Sequence, residues 1–150
     1  MSKDSGSFYT PQPLANWLAS YVLERLPTRK SVNVLEPSCG NGVFLTALNK
    51  DKDGKTLYVN AVDIDKKSVK EARKGDYRFN LEVECGDFLQ WQASKKYDLV
   101  IGNPPFVSRK RIRKQQIEVC KGIHKKIGFS REIANLWTAF VAKSILHLKK

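Results

Sequence analysis

An α/β fold built on an open parallel sheet is predicted by three observations. Short apolar strand segments alternate with turns and helical segments, a glycine-bearing turn joins the first strand to a helix, and the candidate binding groups Glu36, Asp63, Asp87 and Asn103 each stand at the carboxyl end of a strand. Open α/β sheets bind their ligands along that edge. Four separate turns agreeing in this way argue for one ligand site.

Composition sets the bounds. With 150 residues, 41% hydrophobic and 10% aromatic, the chain is long enough for one domain with a sizeable core. Lys and Arg number 27 against 15 Asp and Glu, and the formal charge of +12 favours a polyanionic partner, nucleic acid ahead of a membrane surface. Cys39, Cys85 and Cys120 are odd in number and widely spaced, which argues against a disulfide framework and for a reducing compartment. Cys120 and His124 have a metal-like interval but lack two further ligands, so no metal is expected. No apolar run approaches the ~20 residues of a membrane span, and Met1-Ser2-Lys3-Asp4 lacks a signal-peptide core, so no membrane association and a cytoplasmic location are expected.

In chain order, Phe8-Tyr9-Thr10-Pro11 leads into a helix. Thr10 suits the N-cap and Pro11 the first turn, and Leu14, Trp17, Leu18, Tyr21, Val22 and Leu26 recur at helical spacing up to Pro27. Backbone N–H groups at its start could hold a carboxylate while the two rings flank a cofactor. Val32 to Leu35 is a strand, Glu36-Pro37-Ser38-Cys39-Gly40-Asn41-Gly42 the turn after it, and Val43 to Leu48 the next helix. Gly40 and Gly42 would let a ligand approach the backbone, but the spacing departs from the dinucleotide fingerprint. Glu36 would repel a pyrophosphate and attract an amino group, which favours S-adenosylmethionine over NAD.

A second strand, Leu57 to Val62, ends in Asp63-Ile64-Asp65, where Asp63 has the position of a ribose acceptor and Asp65 that of an N-cap for a helix over Lys66 to Arg73. A third strand, Leu81 to Cys85, runs into Gly86-Asp87-Phe88, with Asp87 able to accept from an adenine amino group and Phe88 to pack on the ring. The fourth strand, Tyr97 to Ile101, is followed by Gly102-Asn103-Pro104-Pro105-Phe106, read as the catalytic turn. Consecutive prolines fix φ and donate nothing, so this turn offers acceptors. Asn103 Oδ1 and the Pro104 carbonyl suit the two hydrogens of an exocyclic amino group, and Phe106 suits the face of its ring. Val107 to Ile133, carrying nine Lys and Arg side chains, reads as a solvated, mobile loop that orders on a partner, or as a segment straddling a nucleic-acid backbone.

Together these blocks resemble the amino-proximal half of the γ-type adenine-N6 DNA methyltransferases of bacterial restriction–modification systems. The resemblance covers most of the chain, including Asn135-Leu136-Trp137-Thr138-Ala139-Phe140 and the helix it opens, with Phe106 standing where a tyrosine is more usual. It implies a Rossmann-like sheet that binds S-adenosylmethionine. Phe8, Tyr9, Thr10 and Pro11 would meet the methionine end with Glu36, Pro37, Ser38, Cys39, Gly40 and Gly42. Asp63 would hold the ribose with Ile64 beside it in the cofactor site, and Asp87 and Phe88 would hold the adenine. Asn103, at the cofactor edge, would with Pro104, Pro105 and Phe106 hold a flipped adenine of double-stranded DNA. The family continues into further strands and a target-recognition domain, so the chain is expected to be a piece ending after the fourth strand and its following helix. Strand five is expected just beyond Lys150, leaving Tyr97 to Ile101 a bare edge prone to self-association. Methyl transfer to rRNA, to a protein glutamine or to cytosine N4, and a non-catalytic S-adenosylmethionine- or DNA-binding module, are the alternatives.

Overall fold

The computed structural model describes residues 10–26, 31–49, 55–129 and 132–150. Phe8 and Tyr9 lie outside them. Four parallel strands, β1 (Ser31–Glu36), β2 (Thr56–Asp63), β3 (Asn80–Cys85) and β4 (Leu99–Val100), form one sheet in the order β3-β2-β1-β4. Helices α1 (Gln12–Leu23), α2 (Val43–Leu48) and α3 (Lys66–Ala72) precede β4; α4 (Lys114–Lys126) and α5 (Leu136–His147) follow it. The strand order reverses between β1 and β4, and such a switch point opens a crevice at the carboxyl ends of the strands.

Alternation along the strands builds two cores. Val32 and Val34 of β1 with Leu57, Val59 and Ala61 of β2 turn toward the face that holds α1, α2 and α3. Leu35 and Val62 turn the other way, against Tyr97, Phe88 and the buried faces of α4 and α5. Burial of each fully enclosed aliphatic side chain contributes about 1.5–3 kcal/mol, so both layers are needed to hold the sheet. No helix among the described residues is long and apolar enough to cross a membrane.

Several expectations change. The first helix starts at Gln12 with Pro11, not Thr10, at the N-cap and with no side-chain cap, because the Pro11 carbonyl itself accepts from Leu14 and Ala15 N–H at 3.0 and 3.1 Å. Its buried face is Ala15, Ala19 and Leu23, while Leu14, Trp17 and Tyr21 are exposed. Alanines four apart let α1 approach α2 closely, where Gln12 Nε2 donates to the Val43 carbonyl at 3.1 Å. Larger side chains are left at the rim. Asp65 caps α3 as expected, accepting from Lys67 and Ser68 N–H.

The segment after the fourth strand is not a bare loop. Arg109–Arg111 forms a 3-10 turn, and α4 buries Cys120, Ile123 and His124 against the second core. Ile117, Cys120, Ile123, His124 and Ile127 share one helical face, a periodicity diluted in the sequence by lysines. Fourth-strand pairing is also shorter than expected, since Asp98 Oδ2 takes the Asn33 N–H at 2.9 Å in place of a ladder carbonyl. Its outer edge is partly covered by the chain itself. Tyr97 donates to the His147 carbonyl and accepts from Lys149 N–H, both at 2.9 Å, so parallel pairing on that side starts at Leu148 and not beyond Lys150. Lys149 Nζ then reaches both Asp98 oxygens at 2.7 Å.

One half-buried group makes this region acid-sensitive. Burial, with Lys143 and Lys96 nearby, pushes the His147 imidazole down to about 4, against an ordinary value near 6.5. The unfolded chain therefore takes up a proton first as pH falls, and stability present above pH ~6.5 is lost progressively down to about 4. Denaturant unfolding at pH 7.5 and 5.0 measures this. His147→Phe, which keeps a ring against Phe88 and Trp91, is expected to lose less stability between the two than wild type; an equal loss removes the assignment.

Candidate active site

The carboxyl ends of the strands open into one cleft of about 540 Å³, a size suited to a small ligand. Thr10 reaches it from the approach to α1, and Glu36, Pro37, Ser38, Cys39 and Gly40 from the turn after β1. Asp63 and Ile64 come from the end of β2, Asp87 and Phe88 from beyond β3, Asn103 and Pro105 from beyond β4. Pro11, Gly42, Pro104 and Phe106 do not line it. Gly42, at φ +89°, has the Tyr77 hydroxyl 2.9 Å from where a Cβ would stand, so its glycine serves the turn and that close approach. Phe88 touches the cleft with its ring in the second core, stacked on Trp91 and tilted against Phe140.

Sequence reading missed other lining groups. Gln116 comes from α4, the helix that was not foreseen, and Leu136 and Phe140 lie one turn apart on α5. Lys143 is 6% exposed and donates to the Leu89 carbonyl at 2.9 Å and the Trp91 carbonyl at 2.5 Å, pinning the segment that carries Asp87 and Phe88. Its ammonium is pushed down to about 8, chiefly by burial. A single lysine inside the apolar run from Leu136 to Leu148 was the available signal.

The centre of the cleft is acidic. Glu36 is 1% exposed, and its carboxyl is raised well above the usual range, first by burial and then by Asp63. Its Oε2 has no hydrogen-bond partner among the described residues. A buried carboxylate oxygen without a donor is costly, and a cationic ligand in the cleft would relieve that cost. Burial, Glu36 and Asp63 also raise the Cys39 thiol, which leaves it no nucleophile. Asp63 is the organiser: Oδ2 accepts from Gly40 N–H at 2.7 Å and Oδ1 from Asp65 N–H at 2.9 Å, tying the glycine turn to the end of β2. Asp87 accepts from Leu89 N–H at 2.9 Å and from the Gln90 side-chain amide at 3.2 Å.

The proline turn is joined to this centre. Ser38 Oγ donates to the Asn103 carbonyl at 3.1 Å, and a Cβ on Gly102 would meet Pro37 Cδ at 3.2 Å. Beyond the turn, Val107 accepts from Leu136 N–H at 2.8 Å and Arg109 N–H donates to Ala134 at 3.0 Å, locking it to the start of α5. There Asn135 caps the helix through Trp137 N–H, and the exposed Trp137 ring lies 6.2 Å from that of Phe106. No group of three or more possible metal ligands occurs among the described residues.

This arrangement meets its relatives in comparison. The model of the methyltransferase small domain matches residues 18–126. The chain belongs to that family. It is 36% identical over 110 residues to the type II methyltransferase M.CvrRI of Paramecium bursaria Chlorella virus XZ-6E, covering 71% of this chain and 26% of that protein. It is 31% identical over 149 residues to the type II methyltransferase M.TthHB8I of Thermus thermophilus, covering 97% and 32%. A tRNA1(Val) (adenine(37)-N6)-methyltransferase of Klebsiella pneumoniae is 32% identical over 80 residues, 49% of this chain and 32% of that one. The chain thus spans about a quarter to a third of the length of these relatives. Among solved structures, the type I restriction–modification methyltransferase subunit of Streptococcus thermophilus superposes with a TM-score of 0.71 at 21% identity, over 95% of this chain and 32% of that one. A Listeria monocytogenes protein described as a class I S-adenosylmethionine-dependent methyltransferase gives 0.77 at 21%, over 96% and 44%. The resemblance to restriction–modification methyltransferases and the Rossmann-like fold are borne out. S-adenosylmethionine is the cofactor, and the Glu36 oxygen, buried and without a hydrogen-bond partner among the described residues, fits its ammonium group.

Proposed function

We propose that this methyltransferase chain is the amino-proximal part of the catalytic domain of a restriction–modification DNA methyltransferase acting on adenine N6. The observation that carries the reading is the link between Ser38 and Asn103: a turn offering acceptors is fastened to the turn that carries Glu36. Methyl transfer to an amine needs such a junction, because an amino acceptor and a cationic donor must be held side by side.

Glu36 would hold the amino group of S-adenosylmethionine, Asp63 its ribose hydroxyls and Asp87 its adenine, with Thr10 near the methionine end. When bound, that cofactor supplies an electrophilic sulfonium methyl. Asn103 Oδ1 and the Pro104 carbonyl accept the two N–H bonds of the target amino group. An adenine amine is conjugated with its ring and a poor nucleophile; hydrogen bonds directed at both hydrogens pull it toward a tetrahedral shape and free the lone pair. The nitrogen takes the methyl as its bond to sulfur breaks, and the proton the methylated nitrogen then carries in excess is lost to solvent, so catalysis comes from orientation and fixed acceptors rather than from a titrating base. Phe106, 48% exposed, stacks on a base taken out of the duplex and offsets part of the roughly few kcal/mol of unstacking.

The Klebsiella relative acts on adenine N6 in tRNA by its name, so the same chemistry on RNA is the second reading. The test offers labelled S-adenosylmethionine to the full-length protein with duplex DNA, tRNA and protein side by side, followed by nucleoside analysis. N6-methyladenine in DNA is expected; label in cytosine, in tRNA alone or in protein overturns the reading. A companion test is cofactor titration calorimetry. Asp63→Ala is expected to weaken binding at least about fivefold, since a bound hydroxyl loses its acceptor, and unchanged affinity would sink the ribose assignment.

A further inference from the structure

We infer that the basic ridge formed by the 3-10 turn Arg109–Arg111 and the outward face of α4 is a phosphate-binding surface for the duplex backbone beside the target base. This deepens the reading above and rests on it. The charge is concentrated there: residues 109–126 hold eight Lys and Arg against one acidic residue, while the rest of the chain is closer to balance, with 19 against 14. Lys114, Lys121 and Lys125 fall on one stripe of α4, opposite the stripe that buries Cys120, Ile123 and His124.

Internal pairing does not account for these cations. Glu118 engages Lys121 and Glu132 engages Arg109, but Lys110, Arg113, Lys114, Lys125 and Lys126 have no acidic partner within 4.0 Å among the described residues. Two of them sit where folding alone would disfavour them. Arg113 is the N-cap residue of α4 and Lys114 its first residue, with no acidic side chain in that turn, although the positive end of a helix favours acids. A solvated face mixes signs evenly; this one carries a single acid, Glu118, among its cations. Its position supplies the partner. The ridge begins three residues after Phe106, and hydrogen bonds between residues 107–109 and 134–136 fix its start beside the proline turn. A nucleotide presenting its base to Asn103 and Phe106 must bring neighbouring phosphates past this edge. Such contacts add affinity without reading sequence.

The test is the salt dependence of binding. Fluorescence anisotropy of the full-length protein with a 30-base-pair duplex, from about 50 to 200 mM KCl, gives the slope of log K against log salt, near −0.9 per neutralised phosphate. The triple variant Lys110→Gln, Lys114→Gln, Lys125→Gln is compared with a charge-matched control, Lys66→Gln, Lys67→Gln, Lys70→Gln, on α3 across the sheet. The ridge variant is expected to flatten the slope by about 2–3 and bind at least tenfold more weakly at 100 mM salt, with the control near wild type. An unchanged slope, or an equal loss in the control, overturns the inference and leaves the methyl-transfer reading standing. A wild-type protein that puts no methyl group on DNA overturns that reading whatever the slopes.

Discussion

Replacing Asn103 by alanine in the full-length protein is expected to lower the rate of methyl transfer at least a hundredfold while leaving S-adenosylmethionine affinity within about threefold. The size follows from what an oriented acceptor in a water-poor site contributes, on the order of 10²–10³ in rate for one hydrogen-bonding group. Alanine keeps the backbone carbonyl that accepts from Ser38 Oγ, so the turn stays fastened and only the side-chain acceptor is lost. Glu36, Asp63 and Asp87 remain in the cleft. Loss in the chemical step with binding retained is the signature of a group that acts on the transition state. Single-turnover kinetics with the cofactor saturating, beside calorimetry, separate the two. If affinity fell as far as the rate, Asn103 would belong to the cofactor and the target amine would need other acceptors.

Strand ends were legible in the sequence because the signal there is double: an apolar run sets the strand, and the first polar residue after it marks the edge where ligands bind. Glu36, Asp63, Asp87 and Asn103 were found that way and line one cleft. What failed to show depends on contacts between distant residues. Ala15 and Ala19 gave a weak hydrophobic signal, yet small side chains decide which face of α1 approaches α2, while Trp17 and Tyr21 stack with each other at the surface. Helix α4 was hidden because its lysines dilute the apolar period, and Gln116 was lost with it. Lys143 could not be placed without knowing that it meets the Leu89 and Trp91 carbonyls, more than fifty residues away and outside any helix or strand. Nor could a sequence show that Asp98 would replace a ladder carbonyl and shorten β4.

Glu36→Gln is expected to weaken S-adenosylmethionine binding by about tenfold to hundredfold while leaving the ligand-free protein as stable as wild type or more so. The opposite signs follow from one fact, a carboxylate buried beside Asp63 with an oxygen that has no donor among the described residues. Without ligand, folding raises the carboxyl's affinity for protons. The folded state therefore binds more protons than the unfolded chain above the ordinary glutamate range, and this residue subtracts stability as pH rises through its raised value. Glutamine has the same shape and no charge, so that loss disappears. A cationic ligand reverses the balance, because a charge-assisted hydrogen bond to the ammonium contributes about 1.5–3 kcal/mol, which is the stated range in affinity. Wild-type binding should accordingly strengthen with pH as Glu36 ionises, and the variant should lose that rise. Thermal unfolding of the ligand-free proteins and calorimetry between pH 5 and 8 read both arms. A variant that melts well below wild type yet binds with unchanged affinity would make Glu36 a scaffold residue and take the ammonium out of this part of the cleft.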